Sequence, residues 1–344
     1  MSLLACRGDN TPAPTPADPE DTGETPDTTT PTDTAPPTDT APPTDTGTTD
    51  TGTTDTGEEE PEIVIDCSAL PTTPGYNVLS GPRGYHGLLL DDDGYIMGSD
   101  TNSIIKADYK GSSSVLAPSQ GYIEQLAWLP DGDIVFSKSS NNSLARLDPK
   151  TGGTSTLAAS TYAYGVIVGS DEMIYIADNQ RISRVDPDTG SKEVILSTLP
   201  GYAYPRVLAF NEDETILYIG TLSNNGTVFT LTLDKDHEVV GMPSLYASGV
   251  GTGYHDGMAV DVCGNVYVTD YYTRGIYRIA TDGSVTTLLS GLNSDHGHGM
   301  VWGNGIGGWK EMALYLPLPY NGNKVMELGL GVPGKGWEGK VINK

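Results

Sequence analysis

The sequence predicts an all-β fold, a six-bladed β-propeller with four antiparallel strands per blade, preceded by a disordered tail. Three observations predict it. A unit of about 40 residues recurs six times between residues 78 and 331, which is the period of a propeller blade. Each copy holds four short stretches rich in β-branched and aromatic residues, parted by turn sequences. Helical periodicity appears nowhere. The clearest copy runs YHDGMAVDVCGNVYVTDYYTRGIYRIATDGSVTTLLSG, from Tyr254 to Gly291.

The chain divides into residues 1–6, 7–60 and 61–344. The first segment ends in Leu-Leu-Ala-Cys ahead of a polar tract. It resembles the end of a bacterial lipobox, which would acylate Cys6 and place the protein in the bacterial cell envelope, lipid-anchored, on its periplasmic or outer surface. Residues 7–60 contain no Val, Ile, Leu, Met, Phe, Tyr or Trp. They repeat APPTDT and TGTTD units and have nothing to bury, so they cannot offset their ordering entropy. The chain carries a net charge of −26, and residues 7–60 hold 14 acidic residues against Arg7 alone. The remaining part is only moderately acidic. It has no basic patch for phosphates, so nucleic acid is excluded as a partner. No stretch reaches the ~18 apolar residues of a membrane span, which leaves Cys6 as the expected membrane contact of a monomeric protein. Cys67 and Cys263 are expected to form a disulfide across the seam of the ring, in an oxidising compartment.

The six copies align on their opening strand: YHGLLLDDDG (85–94), IEQLAWLPDG (123–132), AYGVIVGSDE (163–172), PRVLAFNEDE (205–214), HDGMAVDVCG (255–264) and GHGMVWGNG (297–305). Second strands follow as YIMGSD, DIVFSKS, MIYIAD, ILYIGT, NVYVTD and MALYLP, read as half-buried alternating strands. Third strands such as SLARLDP and GIYRIAT lead through turns to fourth strands such as EVILS and TTLLS. Either EIVID (62–66) or KVIN (341–344) is expected to supply the strand that closes the ring and removes a sheet edge.

These openings, with D-G-M-A-V-D-x-x-G-N-V-Y-V-T-D as the best match, resemble the senescence-marker/gluconolactonase superfamily and its NHL-repeat relatives. The resemblance spans about residues 78–331. It implies the propeller fold. It leaves function open, because these families include lactonases, esterases, lyases and binding modules. The gluconolactonase-like enzymes hold a divalent cation, calcium in the lactonases, through a first-blade Glu, an Asn after Pro and an Asp before Gly. Asp256-Gly257 matches the last. Arg206 follows Pro205 where the Asn belongs, and His86 stands at the Glu position. An Arg there repels a cation and suits a carboxylate or phosphate.

In a blade the first strand lines the central channel, so the residue opening each copy faces the channel mouth. His86, Glu124, Tyr164, Arg206, Asp256 and His298 therefore form one expected ring, with successive spacings of 38, 40, 42, 50 and 42 residues. Such groups perturb one another and mark ligand or metal sites. His86, His298, Asp256 and Glu124 suit zinc or another transition metal. Tyr271 and Tyr272 are a candidate stacking wall for a sugar or aromatic ligand. His255 and His296 flank the ring. Asp100, Asp178 and Asp270 are expected to satisfy turn backbone, Tyr320 to lie in a top-face turn, and His237 to be a solvated turn residue. Asp256 is the expected key residue. Its loss leaves the fold intact if it faces the open mouth and costs stability if it pairs with Arg206.

The sequence thus points to a surface-tethered propeller that binds a small molecule, carbohydrate or peptide at the top of its channel, with or without a metal. The enzyme alternative is a metal-dependent hydrolase, lactonase or lyase on the same ring, with Glu124 or His255 as general base. A protein-interaction scaffold is the third reading.

Overall fold

The computed structural model describes residues 63–344, apart from Arg83, Tyr85, Thr101, Thr161, 223–224 and 293–298. The expectations for the tail and Cys6 lie outside the described residues, as do those for His296 and His298. No helix among the described residues is long and apolar enough to cross a membrane.

Six four-stranded antiparallel sheets form the blades. Blade one runs Leu88–Leu90, Tyr95–Asp100, Ser103–Asp108, Ser113–Ala117, and blades two to five follow in sequence order. Their inner strands are Ile123–Trp128, Ala163–Val168, Tyr204–Phe210 and His255–Val260. Blade six takes its inner three strands, Val301–Trp302, Ala313–Leu318 and Lys324–Gly329, from the C-terminal end. Its outermost strand is Gly75–Leu79, paired antiparallel with Lys324–Gly329.

This corrects the closure expected from sequence. EIVID and KVIN do not close the ring; Val64–Asp66 and Lys340–Ile342 pair with each other, in parallel, outside the blades. The closing strand GYNVL was inconspicuous because an outermost strand faces solvent, and its residues are nearly all exposed. Glycine and asparagine there blur the strand pattern.

The second strands also depart from expectation. They are not half-buried: Ile174–Asp178, Val266–Asp270 and Ala313–Leu318 are buried at every position. A blade is covered on both faces by its neighbours, so alternate side chains enter different interfaces. Ile134 and Phe136 pack toward blade one, whereas Val135 between them packs toward blade three. The core is accordingly six clusters, one per blade interface. The 50-residue spacing in blade four reflects its long outer strand, Val239–Ala247.

His237 is a second correction within the fold. It occupies a turn, with φ of 59°, yet it is buried against Tyr175 and Phe210. One ring nitrogen meets Glu214 Oε2 at 3.1 Å.

The N-terminal segment is fastened to the ring by the expected disulfide. Cys67 and Cys263 have Cα atoms 5.6 Å apart, and their separation in sequence is 196 residues. The geometry works because residues 63–71 run along blade five before entering blade six: Ile65 packs against Val262 and Cys263, and Arg278 Nη1 donates to the Pro71 carbonyl. Cross-linking so long a loop stabilises mainly by restricting the unfolded chain. Replacing Cys67 by Ala is therefore expected to lower the unfolding free energy by roughly 2–5 kcal/mol. Chemical denaturation with and without reductant measures this; an unchanged midpoint would show that the bridge constrains nothing.

Candidate functional site

The inner strands of blades two to five each carry a register shift at the predicted ring position, at 123/126, 163/166, 205/207 and 255/257. A bulge re-aims side chains and often borders a functional site. Here it turns Glu124, Tyr164, Arg206 and Asp256 toward the channel axis. The next residue is glycine in several blades because the strands converge to a neck. A Cβ on Gly87 would lie 2.7 Å from Gln125 Cα, and one on Gly165 would lie 2.6 Å from the Arg206 carbonyl oxygen. Gln125 spans this neck, its Nε2 donating to the Asp256 carbonyl at 3.3 Å.

Five of the six predicted ring residues come together, and all five are buried. Arg206, Asp256 and Tyr164 form one group. Arg206 Nε and Nη2 donate to Asp256 Oδ1 at 2.9 and 2.7 Å, and Tyr164 Oη donates to the same oxygen at 3.2 Å. The guanidinium lies between two aromatic faces, 3.7 Å from the Tyr164 ring centre and 4.1 Å from that of Tyr254. Both contacts are cation–π interactions in a desolvated setting. His86 and Glu124 form the second group. His86 Nδ1 is 3.3 Å from Glu124 Oε2, and its Nε2 is 3.0 Å from Tyr122 Oη.

Burial dominates the electrostatics. It lifts the Glu124 carboxyl to about 7, against smaller opposing effects from Ser139 and Arg206. It also raises Asp256, although the Arg206 charge and hydrogen bonds offset part of that rise. Burial opposes the Arg206 charge too, but Tyr164 and Asp256 hold the guanidinium above its usual value. The pair is ionised, since both hydrogen bonds from Arg206 converge on one carboxylate oxygen. Tyr164 is held far above the phenol range by burial and then by Asp256.

The other sequence-predicted residues separate. His255 does not join the ring. Successive strand residues point to opposite sides, so His255 is buried beside blade four, with Nε2 2.8 Å from the Val250 carbonyl and Nδ1 accepting from Thr221 N. Burial lowers its pKa, which keeps the imidazole neutral. Tyr271 and Tyr272 pack on Tyr254 with centroid distances of 5.1 and 5.2 Å. Asp270 does satisfy turn backbone, accepting from the amides of Thr252, Gly253, Tyr254 and Thr273. Asp178 pairs with Lys192, and Asp100 accepts from Asn323. Tyr320 is in a turn, half exposed.

One set of residues was missed. Tyr122, Tyr162, Tyr204 and Tyr254 each lie two positions before a ring residue, in four consecutive blades. Their side chains form a collar above the ring, with Tyr122, Tyr162 and Tyr204 38%, 45% and 39% exposed. The signal was present in the sequence as a tyrosine at a fixed offset. Tyr162 adopts a φ of 143°, a conformation L-residues rarely take and one that concentrates at functional sites.

The described residues do not fit a divalent cation. Asp256 is engaged by a guanidinium at 2.7 Å, and no three His, Cys, Asp or Glu side chains among the described residues converge as a metal site.

The family described as SMP-30/Gluconolactonase/LRE-like region matches residues 197–290, which include Arg206 and Asp256. No curated protein matches the chain significantly. Similar solved structures include a gluconolactonase from Xanthomonas campestris (15% identity, 74% of this chain and 89% of that one, TM-score 0.62). A calcium-binding regucalcin from Agrobacterium tumefaciens strain C58 also aligns (15%, 82% and 99%, TM-score 0.61). Virginiamycin B lyase from Staphylococcus aureus aligns as well (17%, 74% and 98%, TM-score 0.53). At these identities the likeness is one of fold.

Two outcomes follow from the ring. Asp256→Ala strands a buried guanidinium and is expected to cost about 3–5 kcal/mol, while the joint change Arg206→Met, Asp256→Leu recovers most of that loss. Thermal unfolding of the parent and the two variants decides it, and a neutral Asp256→Ala would show the pair to be dispensable. Glu124 carries the pH dependence. Its folded pKa of about 7 lies above the ordinary carboxylate value of 4.5, so the folded state holds the proton more tightly. The contribution to stability is complete below about pH 4.5 and is lost as pH rises through 7. Glu124→Gln is expected to remove this slope and to exceed the parent at pH 8 by up to about 3 kcal/mol. Denaturation at pH 5 and pH 8 tests the sign.

Proposed function

We propose that the propeller binds a small polar, ring-bearing ligand, of carbohydrate type, at the upper mouth of its channel. The observation that carries the reading is the tyrosine collar above a polar floor. Partly exposed aromatic rings repeated at one register offer flat walls with hydroxyl tips, and the His86–Glu124 and Arg206–Asp256 groups supply hydrogen-bonding capacity beneath. Sites of this kind combine aromatic lining with a few convergent polar groups. The reading needs no metal, since Arg206 provides positive charge in the floor.

A lactonase-type hydrolase is the second reading, favoured by two observations. The matched family region contains Arg206 and Asp256, and Glu124 titrates near neutrality, where a general acid or base works best. His86 beside it would exchange the proton. The disulfide suits an oxidising compartment, which supports the proposal that the protein belongs to the cell envelope.

Calorimetric titration with a panel of monosaccharides, oligosaccharides and aldonolactones tests both. Tyr122→Ala and Tyr254→Ala are each expected to weaken binding by about tenfold, or roughly 1.4 kcal/mol. Hydrolysis of an aldonolactone that Glu124→Gln abolishes without changing KM supports the enzyme reading. Binding indifferent to both tyrosine changes would overturn the mouth as the site.

A further inference from the structure

The two ends of the propeller carry opposite exposed charge. Neighbouring strands of a blade are antiparallel, so the turns joining first to second and third to fourth strands share the lower end. The turns joining second to third strands lie at the upper end, with the ring. Exposed carboxylates gather on the lower turns, among them Asp92, Asp131, Asp188, Glu212, Asp236 and Asp282. The upper turns differ. Their carboxylates among the described residues are Asp100, Asp178 and Asp270. Asp178 and Asp270 are buried, and Asp100 is engaged by Asn323.

Cations stay exposed at the upper end. Lys138 closes the second strand of blade two, and Arg181 opens the third strand of blade three. Arg274 immediately precedes the third strand of blade five, and Lys324 opens that of blade six. Arg181 and Arg274 are exposed, Lys138 and Lys324 half-exposed. None of the four meets a carboxylate among the described residues; Lys138 Nζ donates to the neutral Gln120 amide at 3.3 Å. Lys106, Arg146, Arg184, Lys310 and Lys335 are each held by a carboxylate.

In a ring of six, blade two stands opposite blade five, and blade three opposite blade six. The four cations are therefore two pairs facing each other across the mouth. Lys138 lies innermost, opposite Ile123 in the ladder and so beside Glu124. The other three belong to third strands, roughly 10 Å outward of the inner strand at two inter-strand spacings. A single sugar on the floor does not reach that far, whereas a chain of sugars crossing the mouth does. The collar occupies the same blades, with Tyr122 on two, Tyr162 on three and Tyr254 on five. The floor adds little negative charge below neutrality, because Arg206 meets the Asp256 carboxylate and Glu124 holds its proton up to about pH 7.

We propose that the ligand of the mouth is an acidic oligosaccharide, a short uronic-acid chain laid across the opening. This rests on the carbohydrate reading of the mouth and names its ligand class. The sugar rings lie on the tyrosines. The carboxylates meet Lys138 and Arg181 on one side and Arg274 and Lys324 on the other, through charge-assisted hydrogen bonds. In a chain of net charge −26, carboxylates gathered at the lower end also turn an approaching anion toward the mouth. A uronate is favoured over a nucleic acid because the cations are spread around the rim, not lined along a track for successive phosphates.

Calorimetric titration of the full chain with hexagalacturonate, and with maltohexaose as a neutral chain of equal length, tests the proposal. Hexagalacturonate is expected to bind about tenfold more tightly at low salt and to lose most of that margin in ~0.5 M sodium chloride. The double variants Lys138→Gln, Arg181→Gln and Arg274→Gln, Lys324→Gln are each expected to raise its Kd about tenfold. All four side chains are at the surface, and thermal unfolding verifies that both variants fold. Lys150→Gln, on a lower turn, is expected to change nothing. Equal affinity for the two chains, with both weakened by Tyr254→Ala, would overturn the uronate assignment and leave the carbohydrate reading standing. Binding of no sugar at millimolar concentration would overturn both. Hexagalacturonate affinity unaltered in both double variants would overturn the proposal, and so would equally tight binding of a thymidylate hexamer.

Discussion

Each blade buries its two faces against its two neighbours, so the whole arrangement depends on joining the last blade to the first. The structure makes that join with strand Gly75–Leu79, which reaches the outer edge of blade six and hydrogen-bonds along Lys324–Gly329. Polar links reinforce the seam between blades six and one. Trp309 Nε1 donates to the Gly94 carbonyl, Asn304 Nδ2 to the Asp91 carbonyl, and Tyr109 Oη to Glu327. Glu327 is buried on blade six and also accepts from Tyr315, Lys310 and Asn77 of the closing strand. Four donors from three parts of the chain therefore meet on one carboxylate, and they hold its pKa down against the effect of burial. Without this seam, blades one and six would each expose a face built for burial.

Closure also explains the channel. Six inner strands tilted toward one axis must converge, and at the point of closest approach four of them carry glycine, at Gly87, Gly165, Gly257 and Gly299. Just above that point the bulges turn polar side chains inward, and the low dielectric there makes unpaired charge costly. Arg206 and Asp256 answer that cost by pairing across blades four and five, while Glu124 answers it by holding a proton. The same desolvation thus produces an ion pair in one half of the floor and a neutral-pH titrating acid in the other.

Much of this was legible in the sequence. Residues 40 apart aligned on one strand gave the ring register, because blade geometry converts a repeat period into spatial adjacency. The disulfide followed from having two cysteines in the folded part. The closing strand was hidden because an edge strand needs neither apolar alternation nor β-branched residues, and GYNVL has little of either. His237 was misjudged because turn chemistry set its backbone while packing against Phe210 decided its burial. The tyrosine collar was readable as a constant offset from the ring, although tyrosine is common in β-strands and its recurrence there carries little chemical signal of its own.

The fastening of the N-terminal segment has a mechanical consequence. Any pull on the chain ahead of Ile63 reaches Val64–Asp66 first, where parallel pairing with Lys340–Ile342 would be loaded along the strands. It then reaches Cys67, where the covalent bridge passes the load into blade five. The closing strand Gly75–Leu79, which would unzip most easily from an edge, lies beyond that bridge and carries no tension. The propeller can be dragged by its leading end without being peeled open.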